Sequence, residues 1–459
     1  MTLDYLTEIY SSFEPFQSPQ NDGDDGDDVY VDCQDVRGGW DVVRELGHKI
    51  TRSKKPTCQL YSGHRGVGKS TELLRLKEYL EENQYFVIYF AANDQDIEPQ
   101  DAEYTDILFS CTRHLVEAVK LKNHNPLLNW LNARWESLKD IALTDISWEG
   151  LSLEAQISQF AKITTNLRAT PDKRRELRQK INANTPSLVE ALNSFIKEAQ
   201  KSLDSNSRGI VLIADNLDRI VETKEEGTPS NYDDIYLNRS EIMRGLACHV
   251  IYTVPIAMVY SGKGTQLENN YDKPNVLPMV MVRNPDGSEN QKGLEKLQEL
   301  ICRRVKKIES NLGKTLTLTG GIAEPDTDTP PVFDSPETLK QLCLMSGGHV
   351  RNLMQLIQKA IDWTDELPIT AKAAKRAMEE ARETFQKTIQ EDQWEILARA
   401  CNLQQSDNDE QHLRLLLNRA LLEYRYYDEN DKLKIWCNVH PLIEEIKKFQ
   451  DALKQVKSL

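Results

Sequence analysis

The sequence predicts an α/β fold: a parallel sheet wrapped by helices, interrupted by a helical insertion and followed by further helical parts. Three observations predict it. Short apolar runs at Tyr85–Phe90, Gly209–Ala214 and Cys248–Val254 have the pattern of strands buried on both faces. Helical patterns separate these runs, as a doubly wound sheet requires. A glycine-rich segment, Gly63-His-Arg-Gly-Val-Gly-Lys-Ser70, joins a strand pattern at Thr57–Tyr61 to an amphipathic helix pattern at Thr71–Leu80.

That segment matches G-x-x-x-x-G-K-[ST], with Gly63, Gly68, Lys69 and Ser70 at the fixed positions. Its glycines let successive backbone N–H groups turn inward around a phosphate, and the following helix presents its positive end. His64, Arg65, Gly66, Val67 and Thr71 complete the cradle. Lys69 can reach terminal phosphates, and the Ser70 hydroxyl can ligate Mg²⁺. The segment implies a bound nucleoside triphosphate. The run Gly209–Ala214 ends in Asp215, at the carboxyl edge where ligands of open α/β sheets sit. A carboxylate there holds the Mg²⁺ ion or its water. Asp218 is spaced to position an attacking water. Arg219 either contacts phosphate or pairs with Asp215 or Asp218.

Composition sets the frame. A chain of 459 residues, 39% hydrophobic and 28% charged, has material for two or three domains with sizeable cores. Its net charge of −15 argues against coating nucleic acid over the whole surface, and leaves room for a local basic patch. The eight cysteines form no C-x-x-C pair, so neither zinc nor a disulfide framework is indicated. There is no basic, apolar signal segment at the N-terminus and no apolar run of about 18 residues. A reducing cytoplasm, with no membrane partner, is the expectation.

In chain order, residues 1–28 read as a short helix carrying Leu3, Leu6 and Ile9, then an acidic run at Asn21–Asp28. The run lacks the glycine and closing glutamate of a calcium loop, so it reads as a solvated linker. Residues 29–290 form the α/β core. Within it, Val29–Asp32 and Arg37-Gly-Gly-Trp-Asp41 precede a helix through Val43, Leu46 and Ile50. Residues 122–205 are a helical insertion, with patterns at Leu127–Leu143 and Leu188–Leu203. Its segment 162–180 holds seven basic side chains against two acidic ones. That segment is either a contact for nucleic acid or an acidic partner, or a solvated face. A helix is expected near Tyr236–Leu246, a strand at Cys248–Pro255 ending in the polar Thr253, and a fifth strand at Val276–Val282. Residues 291–390 hold a helix at Gly293–Ile308, a Pro- and Thr-rich loop at 313–335, and helices at Gln341–Trp363 and Ala371–Gln390. Residues 391–459 hold helices at Trp394–Asn402 and Glu410–Leu422, a hairpin at Glu423–Cys437 and a final helix. His440 reads as a capping or packing histidine.

The order of glycine loop, Asp-tipped strand, polar-tipped strand and helical segment resembles the AAA+ ATPases, and more narrowly their STAND and origin-initiator relatives. Asp215-Asn-Leu-Asp-Arg219 resembles the Asp-Asp-x-Asp pattern of STAND and KAP-type NTPases. Ser346-Gly-Gly-His-Val-Arg-Asn-Leu353 resembles the opening of the lid helix. The resemblance implies a P-loop NTPase core with a parallel sheet, a helical lid domain at 291–390 and a winged-helix-like domain at 391–459. It implies ATP as the nucleotide, Thr253 as a sensor of the γ-phosphate, and Arg351 as the lid arginine. In many P-loop ATPases the segment before the first strand packs beside the adenine; Tyr30 and Val31 are base contacts on that view, or ordinary packing. Two departures stand out. Asn216 occupies the place of the usual catalytic glutamate, and an amide can hold a water but cannot act as a general base. No arginine lies between Arg244 and Arg283, where ring-forming relatives place a trans-acting one. The expectation is a slowly hydrolysing ATP switch whose nucleotide state controls lid and wing, and with them a protein partner or self-assembly, in signalling or defence. The alternative is a DNA-binding or DNA-loading initiator-like ATPase. It is not favoured, because residues 394–459 carry ten basic against eleven acidic side chains.

Overall fold

The computed structural model describes residues 2–15, 29–92, 96–119, 126–133, 171–203, 205–224, 227–312, 317–319 and 331–458, with positions 152, 155 and 158. The acidic run at 21–28, most of the insertion before residue 171 and the centre of the 313–335 loop lie outside the described residues. The chain divides into two compact units. One comprises Val42–Ser62 and Glu72–Val276; the other comprises Met1–Asp41, Gly63–Thr71 and Leu277–Leu459.

The first unit is built on a sheet. Strands β1 (Cys58–Gly63), β2 (Tyr85–Ala91), β3 (Gly209–Asp215), β4 (His249–Thr253) and β5 (Asn275–Leu277) lie in the order β2-β3-β4-β1-β5. The pairs β2–β3, β3–β4 and β1–β4 are parallel. The doubly buried pattern of the sequence is met in full at β3, where Ile210–Ala214 have no solvent exposure. Helices Tyr104–Ala118 and Thr185–Ser202 give the core Ile107, Leu115, Leu188 and Phe195. In a parallel sheet all carboxyl ends share one edge, so Asp215 and Thr253 emerge together.

The basic segment of the insertion receives a different reading from its described part. Arg174 and Arg178, on helix Pro171–Asn182, are buried and paired to acids. Arg178 bonds Asp106 at 2.5 Å and Asp101 at 2.7 Å, and Arg174 meets Asp101 at 3.1 Å. These two arginines are neither a solvated face nor a docking patch; they fasten the insertion to Asp101–Asp106. Sequence spacing cannot reveal this, because the acids lie about seventy positions away.

The second unit has its own core, with Ile9 and Phe13 from helix Thr2–Ser12, Leu297 and Ile301 from Gln291–Leu312, and Leu353 and Ile357 from Val350–Asp362. Three expected elements differ. The fifth strand stops at Leu277, because Pro278 has no N–H to continue a ladder. Its continuation packs in this core instead, where Val280 and Val282 are buried and Met281 N–H donates to Val36 C=O at 3.0 Å. The expected helix Gln341–Trp363 is two helices, Pro336–Met345 and Val350–Asp362. They are parted by Gly347 and Gly348 at φ +62° and +78°, and a Cβ on Gly348 would lie 1.8 Å from Val280 C=O. Third, helix Glu410–Leu417 ends earlier than expected. Arg419 adopts φ +61°, and β8 (Leu421–Tyr427) begins at once. β8 pairs antiparallel with β9 (Leu433–Val439), with Tyr424 stacked on Trp436 at 4.7 Å. The helices and this two-stranded wing make the C-terminal part winged-helix-like. Short strands β6 (Thr317–Thr319) and β7 (Pro331–Phe333) pair parallel.

Candidate phosphate-binding site

The glycine loop leaves the carboxyl end of β1 and enters helix Lys69–Glu82. Every carbonyl from Gly63 to Val67 accepts a hydrogen bond. Lys69 Nζ donates to Gly63 C=O at 2.9 Å and to His64 C=O at 3.0 Å. His349 Nε2 lies 2.6 Å from Arg65 C=O. Arg351 N–H donates to Gly66 C=O at 3.1 Å, and Arg37 Nη2 to Val67 C=O at 2.8 Å. With the carbonyls turned outward and bonded, the loop is held in the form whose N–H groups can line a concave anion nest. Past the loop, the first turn of the helix has N–H groups with no intrahelical acceptor.

Several of these partners come from the helix Val350–Asp362 and the wing. His349 caps that helix: its Nδ1 accepts Asn352 N–H at 3.0 Å. With Nδ1 accepting, the ring proton sits on Nε2, which donates to Arg65 C=O. His64, a loop residue, accepts the N–H of Glu423 on β8 at 3.4 Å. Gly66, outside the fixed positions of the motif, occupies a place that requires glycine. Its φ is +90°, and a Cβ would lie 2.6 Å from Arg351 Cβ and 2.8 Å from His349 Cε1.

The loop's surroundings are cationic. Burial, then Lys69, lowers the His64 pKa to about 3. Burial, then Arg419, lowers that of His440 to about 3. Burial, followed by Arg419, His64 and Arg351, holds His349 well below its usual range. All three are neutral donors or acceptors at physiological pH. His440 also caps the turn Pro441–Glu444 and lies 2.7 Å from the Asn352 amide, a structural role in keeping with its sequence.

In the sheet unit, Asp215 is buried at the tip of β3. Its Oδ2 accepts the Tyr89 hydroxyl at 2.8 Å and its Oδ1 accepts Asn216 N–H at 2.6 Å. Asn216 takes φ +63° and opens a tight turn, Leu217–Arg219, that carries Asp218. Thr253, fully buried, fixes that turn: its Oγ1 accepts Leu217 N–H at 2.9 Å. Asp215, Asn216, Asp218 and Thr253 thus form one group on the sheet edge. The loop residues His64, Arg65, Gly66, Val67, Gly68 and Lys69 form another with Arg351. Ser70 and Thr71 are half-buried in the first turn of the loop's helix. Val31 packs in the second core, and Tyr30 is half-buried with its carbonyl accepting from Arg303.

Sequence reasoning missed Arg37, His349 and Arg419 around the loop. Arg37 had one signal, the following Gly38-Gly39 pair, which lets the chain turn beside β8: a Cβ on Gly38 would lie 2.5 Å from Arg425 C=O. His349 lay inside a segment singled out for Arg351 alone. Arg419 had no local signal.

No protein-family model matches the chain, and neither does any curated protein. Among solved structures the chain is similar to Cdc6p from Pyrobaculum aerophilum, at 12% identity, covering 97% of this chain and 98% of that one, with a TM-score of 0.38. It is similar to the Aeropyrum pernix ORC1 protein in complex with DNA, at 12% identity, 98% of each chain and a TM-score of 0.37. It is also similar to a Walker-type ATPase of Pyrococcus abyssi, at 12% identity, covering 90% and 94%, with a TM-score of 0.35. At such values the functional argument rests on this chain's own residues. Among the described residues no helix is long and apolar enough to cross a membrane.

Proposed function

We propose that this chain is an ATP-binding, slowly hydrolysing switch of AAA+/STAND type. In this reading the glycine loop takes the nucleotide phosphates, and the nucleotide state sets the positions of the lid helices and the wing. The observation that carries the reading is the bonding of the loop's carbonyls. His349 and Arg351 at the helix Val350–Asp362, the Glu423 N–H on β8, and Arg37 all hold the loop's outer side. A phosphate drawing the N–H groups inward changes the geometry those partners meet. A ligand shifts an equilibrium only through such differential contacts.

The residue roles follow from their chemistry. Lys69 moves from the loop carbonyls to phosphate oxygens, a stronger, charge-assisted partner. Ser70 and Asp215 supply the hard oxygen donors that Mg²⁺ prefers, and are the residues that would hold it. Bound there, Mg²⁺ supplies charge neutralisation on the phosphates. Asp218 orients the attacking water, with Thr253 holding the turn that presents it. Asn216 supplies no base, so turnover is slow. Arg351 couples the γ-phosphate to the lid. The partners are a protein or a second copy of the chain, engaged in one nucleotide state.

The experiment is calorimetric titration of ATP with Mg²⁺ into the wild type, Lys69→Ala and Asp218→Asn. Lys69→Ala weakens binding at least a hundredfold; undiminished affinity in that variant overturns the site. Asp218→Asn lowers turnover at least tenfold with affinity within threefold of wild type; equal losses in both remove its role.

A further inference from the structure

We propose that Tyr232 is a positioning residue for Asp218: its hydroxyl clamps the far end of the turn that carries this carboxylate, opposite the clamp made by Thr253. The inference rests on the ATPase reading, in which Asp218 orients the attacking water, and it adds the residue that fixes where Asp218 stands. The turn needs holding. It opens at Asn216, whose φ of +63° is a left-handed conformation that persists only where the surroundings impose it. Within the turn, Arg219 N–H donates to Asn216 C=O and Ile220 N–H to Leu217 C=O, both at 3.1 Å.

Two side chains from other elements grip this turn. Thr253 Oγ1, on β4, accepts Leu217 N–H at 2.9 Å. Tyr232 Oη donates to Ile220 C=O at 2.7 Å. Asp218 lies between these two points. Both clamping residues are buried, and a hydrogen bond out of reach of water is the stronger for it. The Tyr232 ring is set in its turn by Tyr236, which is fully buried and meets it edge-on with 6.5 Å between ring centres.

Tyr232 is also anchored to the chain it holds. It belongs to the short helix Asn231–Asp233, which continues as wider turns over Asp234–Asn238. Its neighbour Asn231 brackets the segment that leaves the Asp218 turn. The Asn231 side-chain amide donates to Val221 C=O at 2.9 Å and accepts Thr223 N–H at 2.8 Å. Its backbone N–H donates to Thr223 C=O at 3.0 Å, while Val221 N–H donates to Pro99 C=O at 2.8 Å. Ser230 Oγ caps the helix by accepting Asp233 N–H at 3.3 Å, and Lys263 pairs with Asp233 at 2.5 Å. Residues 220–223 and the helix are thus laced together, and Asp218 has little room to move. Such preorganisation matters, because a reacting group misplaced by about 1 Å can cost about a hundredfold in rate.

The test is a double-mutant cycle on ATP turnover by the full chain, with backbone amide exchange as a second readout. Tyr232→Phe keeps the ring and removes the hydroxyl. Its kcat should fall roughly tenfold, with ATP affinity within about twofold of wild type. Added to Asp218→Asn, it should lower turnover no further, because it acts through Asp218. Exchange of the Arg219 and Ile220 amides should quicken roughly tenfold. Tyr271→Phe removes a buried hydroxyl that has no hydrogen-bond partner among the described residues, and should change neither readout. Unchanged kcat in Tyr232→Phe overturns the proposal, as does an equal loss in Tyr271→Phe. Losses that add to those of Asp218→Asn overturn it too, as does affinity falling in step with turnover. Asn231→Ala, which cuts the side-chain bonds to Val221 and Thr223, decides the matter by the same readouts should Tyr232→Phe fail to fold. Should the wild type not hydrolyse ATP, or Asp218→Asn turn over normally, the ATPase reading fails by itself. The clamp is then judged on amide exchange, and unchanged exchange overturns it.

Discussion

Three histidines near the loop, His64, His349 and His440, are kept neutral by burial and neighbouring cations, and that fixes how the second unit responds to acid. Their folded pKa values lie below the unfolded value of about 6.5. A depressed group contributes stability that is whole above the unfolded pKa and is lost as pH falls toward the folded one. The window therefore runs from about pH 6.5 down to about 3, the value reached by His64 and His440. Each site can contribute up to about 1.4 kcal/mol per pH unit within it. The thermal transition followed from pH 7 to pH 4.5 should fall steadily, and His440→Asn should flatten the slope by about one such site. An unchanged slope in that variant means His440 titrates normally. Arg37 belongs to the same scale. Arg37→Met removes the donor to Val67 C=O and should weaken ATP binding by about tenfold, the value of one charge-assisted hydrogen bond.

At the scale of elements, the sequence pattern located strands and helices well wherever a continuous apolar run or a helical apolar period existed, as at β3 and Gln291–Leu312 respectively. It failed where one backbone contact overrode the period. The pair Gly347-Gly348 splits a helix because the chain must pass against Val280 C=O. Gly348→Ala should cost about 1–2 kcal/mol for the left-handed backbone and about 1–3 kcal/mol more for overpacking. Chemical denaturation read by circular dichroism checks this; a loss under about 0.5 kcal/mol, the size of an ordinary surface change, argues against the close approach. Arg178 offers the contrasting case of an element fixed by charge. Arg178→Met strands the buried Asp106 and should destabilise the sheet unit by about 3–5 kcal/mol, the usual loss when one partner of a buried pair is removed. A variant as stable as wild type would show that water already screens the pair.

At the scale of the whole molecule, charge decides between readings. The chain is acidic, Arg174 and Arg178 of the insertion are engaged with acids, and the wing segment has balanced charge. Duplex DNA at micromolar protein should give no binding that changes between 50 and 200 mM salt in a mobility-shift titration. Salt-sensitive binding would favour the initiator-like alternative, with exposed Tyr427 and Ile435 on the wing as the surface to mutate first. Sizing by light scattering with a non-hydrolysable ATP analogue tests the switch itself: a change in mass or radius is expected, and identical profiles with and without nucleotide count against it.

The sequence by itself determined the glycine loop, the Asp-tipped strand, the parallel sheet and the two-stranded wing. Each is written in contiguous residues, through glycine positions or a hydrophobic period that local physics reads directly. Only the tertiary structure decided what holds the loop. Arg37, His349, Arg351 and Glu423 are brought to five consecutive residues from segments up to about 360 positions apart. No spacing rule encodes those contacts, since each arises from tertiary packing: of lid, of wing and, for Arg37, of the segment before the first strand. The same packing brings Arg419, from the turn before β8, within electrostatic reach of Arg65.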